Sequence, residues 1–163
     1  RRQRQMCIRD RFLEAVRTTV YRQVQIAEFE LYTHGEINAG RSLQAENLEN
    51  YWLESNKTYY GPALTVDKEL ASEWSRIPHF YTPFYVYKYA TGYSAATAFA
   101  EAILSGKENA VEKYLGFLKA GGSDYSLNIL KNAGVDLTTP QPVAVTLQKF
   151  AQKVQELKTL LKL

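Results

Sequence analysis

An all-α fold is what the sequence predicts, and three observations predict it. Apolar residues recur at spacings of three and four along most of the chain, the period of one helix face. No run alternates apolar and polar residues as a half-buried strand would. Breaks such as Tyr59-Tyr60-Gly61-Pro62, Gly121-Gly122 and Thr138-Thr139-Pro140 separate the periodic stretches. The result is roughly six helices, with no internal repeat and no low-complexity segment. A chain of 163 residues with 45% hydrophobic content can bury a core of its own. No apolar run approaches the roughly 20 residues of a membrane span, so no membrane partner is expected. The one cysteine, Cys7, cannot close an internal disulfide, which makes a reducing compartment the default.

The first helix is expected from Phe12 to His34. Phe12, Ala15, Val16, Thr19, Val20, Gln23, Ile26, Ala27 and Leu31 mark its apolar face, and Gly35 is a reasonable stop. Glu28 and Glu30 are two apart and point to different sides. Glu28 shares a face with Tyr32, and Glu30 shares one with His34, which suggests a helix-end pairing. After Gly40, Ser42 can cap a second helix bearing Leu43, Leu48, Tyr51 and Trp52. Residues 61–78 read as a loop with a short helical turn from Asp67 to Trp74, and Trp74 is expected to anchor that loop. Beyond Gly106, Ala110, Val111, Tyr114, Leu115 and Leu118 give a stripe to a helix over Lys107–Lys119. A short helix capped by Asp124 or Ser126 follows and ends at Gly134. The last helix, Val143–Leu161, aligns Val143, Leu147, Phe150, Val154, Leu157 and Leu161.

The charge is uneven. Residues 1–11 carry a net +4 of the chain's +3, leaving −1 for the rest. A basic arm can bind nucleic acid, but no basic patch supports it downstream, so no nucleic-acid partner is expected. The run Met6-Cys7-Ile8-Arg9-Asp10-Arg11 is similar to translated sequencing-adapter sequence, so residues 1–11 are expected to be a non-native leader and 12–163 the domain proper.

The chemistry concentrates in His79–Tyr93, HFYTPFYVYKYATGY, which holds five Tyr, two Phe and one His. Ile77-Pro78 sets an extended entry. Thr82 can cap a helix opening at Pro83 and running to about Gly106. On that helix Tyr81, Tyr85, Tyr89 and Tyr93 fall in one line, while Tyr87 points elsewhere. Such a stripe is commonly core, with its phenol tips at a wet edge. The alternative is a wall of hydroxyl donors beside an imidazole, able to grip a carbonyl or a developing oxyanion.

Four stretches occur in a familiar order: YRQVQIAEFELYTHGE, YWLESNKTYYGP, IPHFYTPFYVYKYATGYSAA and FLKAGGSDYSLNILKNAGVDL. From about Phe12 to Leu161 the chain resembles the C-terminal part of the oligoendopeptidase F group, within the thimet-oligopeptidase-like family of zinc metallopeptidases. The resemblance implies the C-terminal helical part of a clam-like, α-helical zincin peptidase that cleaves short peptides in the cytoplasm. In that family the zinc is held by the two His of an HExxH helix and a Glu on the next helix. This sequence has no HExxH, and its histidines are His34 and His79 alone. The zinc ligands are therefore expected in an N-terminal part upstream of Phe12. The fragment by itself is expected to bind no zinc and to be inactive. The resemblance further implies that His79, Tyr85 and Tyr89 are catalytic, hydrogen-bonding the substrate backbone and the oxyanion. Helix phase favours Tyr85 over Tyr81 for that part. Tyr81, Gly121 and Gly122 are expected to contact substrate, the two glycines as a hinge or as a plain turn. A stand-alone helical peptide-binding module without catalysis is the second reading.

Overall fold

The computed structural model describes residues 2–162. Every regular element among them is helical, so the all-α expectation holds. Seven α-helices are present: α1 (Arg2–Val16), α2 (Arg22–Asn38), α3 (Ala45–Tyr60), α4 (Tyr87–Leu104), α5 (Ala110–Ala120), α6 (Ser126–Asn132) and α7 (Gln141–Leu161). A π-helical turn over Arg17–Tyr21 separates α1 from α2, and 3-10 segments occupy Lys68–Arg76 and Pro78–Tyr81. The chain divides into two units, Thr18–Tyr89 and the remainder on either side of it.

The Thr18–Tyr89 unit is built on one aromatic core. Ile26 and Phe29 of α2 meet Leu48 and Trp52 of α3, with Ile77 and Val86 completing the cluster. The Phe29 ring stands edge-on to Trp52 at 5.1 Å, stacks on Trp74 at 5.8 Å and touches Phe80 at 5.3 Å. Trp74 thus anchors its loop, as expected. Tyr32 and Tyr51 stack at 4.0 Å. Arg22 reaches Glu73 at 2.8 Å and lies over the Trp52 ring, tying α2 to the 3-10 segment at the edge of this core.

The buried face of α2 differs from the expected one. Gln25, Ile26, Phe29 and Glu30 are buried, whereas Leu31 is exposed. The cause is the π turn, whose i to i+5 bonds insert one residue relative to an α-helix and shift the phase of all that follows. Gly35 lies inside α2, and the helix instead stops at Ala39 before Gly40, whose φ of +74° suits glycine. The helix-end pairing of Glu30 with His34 is also replaced. Glu28 accepts from the Tyr59 hydroxyl at 2.8 Å, and Glu30 accepts from the backbone of Phe84. Ser42 does not cap α3, which begins after an extended Gln44.

In the other unit, Ala95 and Phe99 of α4 pack with Ala133 and Val135. The Phe99 ring meets Tyr114 at 5.4 Å and Phe117 at 5.2 Å, both on α5. The expected α5 stripe is therefore split: Tyr114 turns inward with Phe117, and Val111, Leu115 and Leu118 are exposed. The N-terminal stretch forms α1, where Arg9 pairs with Glu156 of α7 at 2.7 Å. Lys149 of α7 pairs with Glu101 of α4 at 2.8 Å.

Replacing a buried Phe by Ala costs about 3–5 kcal/mol through lost transfer energy and a residual cavity. Phe29→Ala is expected to fall in that range, read as a lower denaturant midpoint. A change below about 1 kcal/mol would mean the core closes around the gap.

Candidate functional site

The segment from Ile77 to Tyr89 alternates core anchors with outward rings. Ile77 and Val86 are buried, and Phe80 packs against Phe29. His79 is held between the first pair of anchors, Ile77 and Phe80. Tyr85 precedes the anchor Val86, and Tyr89 lies on the first turn of α4, its N–H donating to the Val86 carbonyl at 3.3 Å. Apolar burial thus fixes the backbone while the candidate rings stay at the surface.

The expected helix from Pro83 is absent over its first turn, and α4 opens at Tyr87. Phe84 is the reason: its φ of +56° is left-handed, costing a non-glycine residue roughly 1–2 kcal/mol. Its N–H donates to Glu30 Oε1 at 2.8 Å, and its ring lies 4.7 Å from that of His34. Glu30 is only 4% exposed, and a buried carboxylate requires such a donor. The one-line stripe of four tyrosines therefore does not form on a single helix. Tyr81 ends a 3-10 segment and is 85% exposed, Tyr85 lies in the turn, and Tyr93 is half-buried on α4, where burial pushes its phenol up.

His79, Tyr85 and Tyr89 nevertheless come together. The rings of His79 and Tyr85 are nearly parallel at 6.4 Å, and Tyr89 stands edge-on to both, at 5.7 Å from each. The Tyr89 hydroxyl is 3.5 Å from His79 Nε2, the outer limit of a hydrogen bond. With the imidazole proton on Nδ1, the phenol donates; with it on Nε2, the phenol oxygen accepts. A hydrogen bond to Tyr85, then desolvation, holds the Tyr89 phenol above its ordinary range. Tyr89 is thus a neutral donor at physiological pH. The ammonium of Lys88 lies 5.1 Å over the Tyr85 ring. Tyr85 and Tyr89 are 40% and 38% exposed, so the cluster can meet a ligand. It offers an imidazole and two phenols to an acceptor such as a carbonyl oxygen.

Gly121 and Gly122 lie in the other unit, in the turn that ends α5. Gly121 has φ +53°, and Ser123 N–H closes on the Ala120 carbonyl at 3.1 Å. A hollow of about 500 Å³ in the same unit is bordered by Phe99, Ala110, Ala133 and Pro142. Its walls hold no His or Tyr, and the cluster at His79 is the stronger candidate on chemistry. The sequence pairs Glu30 with His34 and does not reveal its contact with Phe84. Its signal was a carboxylate at i, i+3, i+4 spacing with Ile26 and Phe29, on what proves to be the buried face.

Residues 2–149 match the family described as Peptidase family M3. The chain is 47% identical over 154 residues to Oligopeptidase PepF of Bacillus subtilis (strain 168), covering 94% of this chain and 23% of that protein. It is 40% identical over 153 residues to Group B oligopeptidase PepB of Streptococcus agalactiae, covering 94% and 26% respectively. The crystal structure of oligoendopeptidase-F from Enterococcus faecium superposes with a TM-score of 0.97 at 41% identity, over 99% of this chain and 31% of that one. The chain thus spans about a quarter of the length of the curated relatives it matches.

Tyr85→Phe removes the oxygen that accepts from Tyr89. The Tyr89 phenol should then titrate at lower pH, moving toward an ordinary tyrosine, as followed by the ring Cζ resonance in an alkaline NMR titration. An unmoved resonance would mean that the two hydroxyls do not interact in solution.

Proposed function

Because the chain belongs to peptidase family M3, we propose that it forms the substrate-gripping part of a zinc-dependent oligoendopeptidase that hydrolyses short peptides in the cytoplasm. The observation that carries this reading is the exposed ring cluster of His79, Tyr85 and Tyr89, mounted on a buried apolar frame. The Tyr89 hydroxyl donates to the carbonyl oxygen of the scissile peptide bond. That hydrogen bond strengthens as the oxygen gains negative charge, which makes it a transition-state interaction. In the free protein the one Tyr89 proton is directed at Tyr85, and it turns from there to the carbonyl oxygen when substrate binds, while His79 offers a further donor to the peptide backbone. Tyr81 is an outer contact for the peptide, and Gly121 and Gly122 are further substrate contacts.

The share of its relatives that the chain spans supports its working as part of a longer polypeptide. A catalytic zinc takes three protein ligands. Among the described residues, no three His, Cys, Asp or Glu side chains are grouped to hold a metal. These residues do not fit a zinc site, and the ligands are assigned to sequence outside this chain. No helix of the described residues is long and apolar enough to cross a membrane.

In the full-length protein, Tyr89→Phe should lower kcat about a hundredfold, the usual loss for one oxyanion donor, with zinc content unchanged. Turnover of a quenched fluorescent peptide and elemental analysis read the two quantities. Undiminished turnover would remove Tyr89 from the reaction, and lost zinc would make its role structural. Calorimetric titration of zinc into the 163-residue chain is expected to show no tight stoichiometric binding. A saturable one-to-one site would contradict the assignment of the ligands to other sequence.

A further inference from the structure

The backbone around the ring cluster is set by a residue outside it. Between His79 and Tyr89 the chain reverses through Pro83 and Phe84, and at Phe84 it takes a left-handed conformation that a phenylalanine does not choose unaided. Something must hold it there. The carboxylate of Glu30 accepts the Phe84 N–H at 2.8 Å, across 54 residues of sequence. Glu30 is buried on α2, one residue after Phe29, the centre of the aromatic core. The carboxylate is thus rigidly mounted, and the turn it holds leads directly into Tyr85. The His34 ring, one helical turn beyond Glu30, packs against the Phe84 ring. α2 therefore grips both the backbone and the side chain of the one residue whose conformation decides where Tyr85 and Tyr89 emerge.

We propose that Glu30 is a positioning residue: by holding the Phe84 amide, it fixes the turn that brings Tyr85 and Tyr89 against His79. Its relevance to peptide hydrolysis rests on the function proposed above, but the geometric claim does not. Glutamine keeps an acceptor oxygen at the same place, and alanine removes it. Phe84→Gly keeps the N–H and favours positive φ. Phe84→Pro removes the N–H and forbids positive φ, leaving Glu30 untouched.

The test is NMR on the 163-residue chain, reading Phe84 amide exchange and proton cross-relaxation between the His79 and Tyr89 rings. Glu30→Ala should speed the exchange about tenfold or more and abolish the ring cross-peaks, at a temperature where the variant is folded. Glu30→Gln and Phe84→Gly should retain the cross-peaks. If Glu30→Ala does not fold, Phe84→Pro reads the same link from the other end and should lose them. Ring contacts that persist in folded Glu30→Ala or in Phe84→Pro overturn the proposal, even with a lowered melting temperature. So does a wild-type Phe84 amide that exchanges as fast as open peptide. Should the contacts vanish while the full-length variant keeps its kcat, the positioning role stands and the proposed function falls.

Discussion

Around Phe29, five other rings close at centroid separations between 5.1 and 6.5 Å, and most of the Thr18–Tyr89 unit hangs from that contact. Two of the partners, Trp74 and Phe80, belong to 3-10 segments, which have poor hydrogen-bond geometry and rarely persist without side-chain support. Aromatic packing supplies that support through large buried area and directional ring contacts. Remove the hub and the segment before His79 has nothing regular to hold it. The segment that carries His79 is thus stabilised from below, by buried and partly buried rings.

That arrangement separates two jobs. Ile77, Phe80 and Val86 spend their side chains on the core, and His79, Tyr85 and Tyr89 are left free to present polar atoms outward. Phenols suit this position because their bodies pack against one another while their hydroxyls remain available. A phenylalanine would pack equally well and offer no donor. The structure uses Phe for the inward ring at Phe80 and Tyr for the rings of the cluster, while Phe84, expected as core, is 53% exposed beside His34.

The helical class and most breaks were legible in the sequence because they depend on local pattern, and the candidate rings stood out as chemically distinctive side chains. Trp74 was recognisable as an anchor for the same reason. Phase was less legible. The π turn at Arg17–Tyr21 moved the buried face of α2 onto Phe29 and Glu30, and nothing in the sequence signals such an insertion. Phe84 hid the second irregularity, since a left-handed phenylalanine has no propensity signature. Its cause, a carboxylate far away in sequence, is a tertiary effect that overrides local preference. Tyr85 and Tyr89 were paired on the assumption of a continuous helix. They do meet, but through a turn followed by the first residues of α4.

The sequence distances within the site have a thermodynamic consequence. His79 and Tyr89 are ten residues apart, so bringing them together closes a short loop, whereas Glu30 and Phe84 close one of 54 residues. Loop entropy grows with the logarithm of length, which makes the longer closure about 1.5 kcal/mol more demanding. The local closure alone costs less, but it is the long-range bond that holds the turn, so the cluster carries the entropic cost of both closures. Fluctuations that release the carboxylate would open the ring cluster without dismantling the helices beneath it.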